Sequence, residues 1–210
     1  KMQWQLTSRP YKSKVVIMVS KHDHCLNDLL YRYRTGDLDI EIPAIISNHP
    51  DLEQLANWHN IPYYHLPISK ETKSDQEAKV WQIIKDSEAD LVVLARYMQV
   101  LSSEMCKKLA GKAINIHHSL LPGFKGAKPY YQAYERGIKL VGATAHYVSD
   151  DLDEGPIISQ GVETVDHGHY PHDLAAKGRD VECLTLSRAV RCHIERRIFL
   201  HGKKTVVFSK

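Results

Sequence analysis

No window of the 210-residue sequence approaches the ~20 apolar residues that a bilayer span requires. The opening run Lys1-Met2-Gln3-Trp4-Gln5-Leu6 also lacks the apolar core of a secretory signal. Cysteine is sparse: Cys25, Cys106, Cys183 and Cys192 stand far apart without a C-x-x-C pair, which argues against a zinc knuckle or redox dithiol and for reduced thiols. A cytoplasmic setting is the expectation. Charge of one sign is missing too, since 28 Lys and Arg scattered against 25 Asp and Glu leave a formal +3, too balanced for nucleic acid as the main partner. With 11 Gly, 9 Pro and no internal repeat, collagenous and disordered classes drop out, and a 43% hydrophobic content suffices for one sizeable core.

What is present is an alternation. Short β-branched runs at Val15–Ser20, Ile42–Ser47, Tyr63–Leu66, Leu91–Ala95 and Ala113–His117 are separated by stretches of helical period, followed by strand candidates Val141–Val148, Pro156–Val165 and Thr205–Phe208. That pattern predicts an α/β fold: an open, mostly parallel twisted sheet with helices on both faces. Helix starts are expected near Asp51, Ser74, Ser102 and Pro129, and Gly111 and Gly137 read as stops. Leu186, Val190, Ile194 and Ile198 recur every fourth residue as the apolar stripe of a long C-terminal helix, whose Arg188, Arg191, Arg196 and Arg197 face solvent. Residues 1–14, polar and containing Pro10, read as a linker or tail, leaving 15–210 as the catalytic domain.

In doubly wound sheets ligands sit beyond the carboxyl ends of the strands. The first such loop, Lys21-His22-Asp23-His24-Cys25, has no glycine, the first in the chain being Gly36, so neither a dinucleotide nor a nucleoside-triphosphate cradle is expected. His22, His24 and Cys25 could ligate a metal, as could His167, His169 and His172, but neither group has the distant partners of a defined site, and no metal is expected. The fifth strand says more. Asn115 and His117, two apart, share a face at its carboxyl end, while Ile114, Ile116 and His118 lean the other way. An amide and an imidazole aimed together suit an oxyanion developing on a carbonyl, although they could equally satisfy buried backbone groups. Further on, His146 runs into the acidic loop Asp150-Asp151-Leu152-Asp153-Glu154 before Gly155-Pro156, and a carboxylate from it would supply the missing acid/base. Leu121-Pro122 is a candidate cis bond.

Asn115-Ile116-His117, Leu120-Leu121-Pro122, the run through Gly126, and His146 with Asp150-Asp151-Leu152-Asp153-x-Gly155-Pro156-Ile157-Ile158 together resemble the N10-formyltetrahydrofolate formyltransferase and hydrolase superfamily, over residues 14–208. Lys125-Gly126-Ala127-Lys128-Pro129-Tyr130, Gln132–Gly137 and Gly142–Tyr147 are similar to its hydrolase branch. The resemblance implies a formyltransferase-type, Rossmann-like fold and hydrolysis of 10-formyltetrahydrofolate to formate and tetrahydrofolate, in one-carbon metabolism linked to purine biosynthesis. It places the catalytic roles on Asn115, His117 and Asp153, and folate binding on Arg96, Tyr97, Met98, Gln99, Val100 and Leu101, with His146, Ser149, Asp150 and Asp151 closing around the pterin. It implies no tightly bound cofactor and no metal, a homo-oligomer, no nucleic acid or membrane partner, and an N-terminal regulatory ACT domain missing from this chain. Two alternatives stay open: formyl transfer to an amine, which uses the same three residues, and a non-catalytic folate- or metal-binding module.

Overall fold

The computed structural model describes residues 11–123 and 129–208; the motif residues Lys125–Lys128 lie outside them. In chain order the elements are β1 (Ser13–Val19), α1 (His24–Arg34), β2 (Ile40–Glu41), β3 (Ile45–Ser47), α2 (Glu53–Trp58), β4 (Tyr63–His65), α3 (Lys73–Asp86), β5 (Leu91–Leu94), α4 (Ser103–Lys108) and β6 (Ala113–His117). They continue with α5 (Pro129–Glu135), β7 (Leu140–Tyr147), β8 (Ile157–Thr164), α6 (Pro171–Ile194), β9 (Ile198–His201) and β10 (Lys204–Val207).

The main sheet runs β4-β3-β1-β5-β6-β7-β8, with β2 also on β1. Pairings through β6 are parallel, and β7 and β8 add antiparallel strands at one side. Its central strands read as unbroken hydrophobic runs because both faces are covered. Val15, Ile17 and Val19 of β1 join a core built with α1, α2 and α6, and Val16 and Met18 join one built with α3 and α4. The expected fold class is therefore the observed one. Among the described residues no helix is long and apolar enough to cross a membrane.

Three expectations need correction. The tail ends sooner than position 14, because Ser13 and Lys14 already pair with β2 and the Lys14 amide donates to Asp90 at 2.8 Å. His24 and Cys25 are the first residues of α1 rather than loop. The C-terminal helix stops at Ile194, and Ile198 belongs to β9: Arg196 turns left-handed at φ 57°, ending the helix before the stripe's last member. Two of the four arginines expected to face solvent are engaged, Arg191 with Asp37 and Arg197 with Glu195 and the Phe208 carbonyl.

Candidate active site

A cavity of about 250 Å³ opens at the carboxyl ends of β5 and β6. Asn115, His117, His146 and Asp153 line it, with Arg96, Tyr97, Met98, Gln99, Val100, Leu101, Ser149 and Asp150. Asp151 does not: it is exposed, and its backbone carbonyl accepts from the Ser149 hydroxyl, so it shapes the loop from outside the cavity. His118 does line the cavity, contrary to the alternation argument, because β6 ends at His117 and strand periodicity no longer governs the next side chain.

The carboxylate meets the strand pair because the chain folds back at Gly155. A Cβ there would lie 1.7 Å from the Tyr147 carbonyl oxygen, an approach only glycine permits. The return puts Asp153 Oδ2 3.2 Å from His117 Nδ1 and Oδ1 3.6 Å from His146 Nε2. Asp153 itself sits at φ 58°, the left-handed strain that collects at functional sites. Burial pushes its carboxyl up, but the His117 and His146 rings beside it outweigh that and hold it well below the usual carboxylate range. It is therefore ionised at neutral pH.

His146 is set by its other nitrogen. Nδ1 lies 2.9 Å from the Tyr147 carbonyl, which can only accept, so Nδ1 carries the proton and Nε2 faces the Asn115 amide nitrogen at 3.3 Å. His117 Nε2 is buried and has no hydrogen-bond partner. A buried imidazole nitrogen without a partner costs about 1–3 kcal/mol, which marks it as a group awaiting a ligand.

Polar clips tie the Arg96–Leu101 wall to the opposite, α3 face. Tyr97 is buried with its hydroxyl taken by Gln76, the Met98 amide donates to Ser20 Oγ, and buried Glu77 receives both the amide and the hydroxyl of Ser102. Met98 and Val100 are left exposed as apolar surface for a flat ligand.

Arg96 does not behave like the rest of that wall. Its backbone is left-handed at φ 64°, and its Nε lies 3.4 Å from Glu182. Glu182 also takes His24 Nε2 at 2.8 Å and the Tyr130 hydroxyl at 2.8 Å. Burial raises this carboxyl, and His24 and Arg96 lower it further, so it too stays ionised. Sequence reasoning missed Glu182, although a signal existed: it lies four residues before Leu186, a charge on the buried stripe of α6. His24, Cys25 and Glu182 are also the one group among the described residues close enough to share a metal ion. Their carboxylate already takes two hydrogen-bond partners and faces a guanidinium that would oppose a cation, so a structural ion pair fits the set better. Of the other candidate ligands, His169 pairs with Asp166 and His172 with Asp173 on the surface.

The model of the family described as formyl transferase matches residues 13–190. A formyltetrahydrofolate deformylase from Corynebacterium sp. (strain P-1) is 60% identical over 98% of this chain and 72% of its own length. The crystal structure of a formyltetrahydrofolate deformylase from Pseudomonas putida KT2440 superimposes with a TM-score of 0.93 at 67% identity, covering 97% of this chain and 73% of that one. The glycinamide ribonucleotide transformylase 1 from Symbiobacterium toebii superimposes with a TM-score of 0.88 at 27% identity, over 98% of this chain and 99% of that one.

Proposed function

The chain belongs to the formyl transferase family, and from that premise we infer that it hydrolyses 10-formyltetrahydrofolate to formate and tetrahydrofolate. The observation that carries the mechanism is the buried, partnerless His117 Nε2 beside the Asn115 amide, with an ionised carboxylate behind the ring.

The N10-formyl group is an amide, so water must add to its carbon and generate an oxyanion. Asn115 Nδ2 has two protons; one points at His146 Nε2 and the other is free for the cavity. His146 therefore positions Asn115 rather than contacting folate. His117 donates from Nε2 to the same oxyanion while Nδ1 faces the Asp153 carboxylate, which holds the ring in place. As the carbon–oxygen bond forms, the water proton passes to Asp153 and on to N10. The carbon–N10 bond then breaks, releasing formate and the amine. A carboxylate held so firmly ionised is a weak base in the empty site, so its first task is to hold His117 and orient the water. Met98, Val100 and Leu101 offer apolar contact to the pterin, and Asp150 or backbone groups its polar edge.

The scheme uses no cofactor beyond the folate itself. Exposed Phe199, Leu200 and Phe208 on the β9–β10 hairpin support a homo-oligomer, and four unpaired cysteines suit a reducing, cytoplasmic compartment. The test is to incubate the protein with 10-formyltetrahydrofolate alone and quantify formate. Release without any amine is expected; strict dependence on an amine acceptor refutes the hydrolase. Asn115→Ala should lower kcat by about 100–1,000-fold in a normally folded protein.

A further inference from the structure

The Symbiobacterium toebii relative shares this fold, and by its name its acceptor is a ribonucleotide, an acceptor far larger than water. Something beside the reacting carbon must separate the two outcomes. The folate wall Met98–Leu101 hangs from the α3 face of the sheet. On the α1 and α6 face the cavity ends at Arg96 and His118, which are backed by Glu182 and Tyr130. His117 and His118 have ring centroids 5.2 Å apart, His118 and Tyr130 6.3 Å, and Tyr130 donates to Glu182, which also holds Arg96 and His24. The ring of Tyr130 occupies space left by Gly178, where a Cβ would come within 2.0 Å of its hydroxyl. His24 comes from the glycine-free segment after β1, so bulky side chains stand where a glycine-rich loop would leave room. Glu182 is 1% exposed, with two hydrogen-bond partners and the Arg96 charge beside it, which makes this cluster a wall that does not open cheaply.

We propose that the Arg96–Glu182 pair, closed by His24 and Tyr130, is the specificity-determining wall that keeps any acceptor larger than water from the formyl carbon. The proposal rests on the hydrolase reading. Folate fills one side of the site and the ion pair fills the other. Glu182 acts as a positioning residue: it holds Arg96, whose side chain meets the cavity.

Hydroxylamine is a suitable probe. Its nitrogen attacks the formyl carbon, the carbon–N10 bond breaks, and a proton from that nitrogen passes to N10, giving formohydroxamate and tetrahydrofolate. The variants are His24→Ala and the double variant Arg96→Ser/Glu182→Gln, which removes both charges together and strands neither. Wild type should release formate, with hydroxamate no faster than without enzyme. The opened variants should raise the hydroxamate-to-formate ratio by about tenfold or more, the scale on which a pocket discriminates by size. This ratio is unaffected by a general loss of folded protein, because both products come from the same molecules. Hydroxamate formation by wild type in proportion to added hydroxylamine overturns the wall, as does an unchanged ratio in folded His24→Ala and the double variant. If the double variant does not fold, His24→Ala and Tyr130→Phe decide alone. Absence of formate from wild type would sink the hydrolase reading itself, whereas formate with no diversion in any variant sinks only the wall.

Discussion

Two carboxylates serve one site, the half-buried Asp153 in the cavity's lining and the buried Glu182 behind its wall, and their surroundings differ. Glu182 is met by His24, Tyr130 and Arg96, and no atom of the carboxylate is left wanting. Asp153 is met by His117 and His146, yet the ring it holds keeps a buried nitrogen with nothing to bind. Both clusters include a residue forced into left-handed backbone, Arg96 and Asp153, so strain alone does not separate them. What separates them is the charge around the unfilled nitrogen: Arg96 Nε, also buried without a hydrogen bond, has the Glu182 carboxylate 3.4 Å away, whereas His117 Nε2 has neither a hydrogen bond nor a counter-charge against it. A charge balanced within its own cluster is spent on rigidity, and a nitrogen left without a partner is held for a transition state.

The comparison can be broken by exchanging the symptoms. Glu182→Ala leaves the Arg96 guanidinium buried without its counter-charge, and the expected cost is about 3–5 kcal/mol of stability, read as a fall in the urea midpoint at constant slope. Asp153→Asn keeps the shape and should fold close to wild type while kcat falls by about 100–10,000-fold, the range for a lost acid/base. If Asp153→Asn destabilises as much as Glu182→Ala, the division between a structural and a chemical cluster fails. Gly178→Ala attacks the first cluster more gently. The added methyl must displace the Tyr130 ring and loosen its bond to Glu182, at about 1–3 kcal/mol, which outweighs a helix-propensity gain of at most about 1 kcal/mol. A more stable Gly178→Ala protein would mean that Tyr130 is not wedged as described.

Much of this was readable in the residues. The Ala113–His117 strand falls where the β-branched pattern predicts it, and with it the shared face of Asn115 and His117. The cis bond at Leu121-Pro122 is also where the turn suggested one. What sequence could not supply was distance. Asp153 reaches His117 only because Gly155 lets the chain press on the Tyr147 carbonyl, a contact with no periodic signature. Glu182 was hidden differently, inside a helix whose apolar repeat drew attention forward to Ile198 and away from the charge one step behind. A four-residue repeat identifies a helix face but not where the helix stops, which here depends on the turn at Arg196. His118 shows the same limit for strands, since alternation loses its force where pairing ends.

The smallest effect tests two buried imidazoles, His118 between the clusters and His193 outside them. Burial, reinforced by Arg96, pushes His118 down to about 4, and burial with the Arg196 charge does the same for His193, beneath β7 and in contact with the Tyr147 hydroxyl. Glu182, Asp153 and His117 face His118, and Asp90 faces His193, without reversing either shift. Both rings are thus neutral in the folded protein between pH 4 and 6.5, while the unfolded chain takes up a proton on each. In that window the unfolded state binds more protons, so stability rises with pH, is complete above about 6.5 and drains away on acidification toward 4. Each ring contributes a slope of up to about 1.4 kcal/mol per pH unit. His193→Gln should remove one ring's share, flattening the curve of urea midpoint against pH below 6.5 without touching the hydrolytic rate at neutral pH. An unaltered acid slope in that variant would mean that His193 titrates alike in both states. The remaining slope would then belong to His118 and its neighbours, where a charge entering the border would set the two clusters against each other.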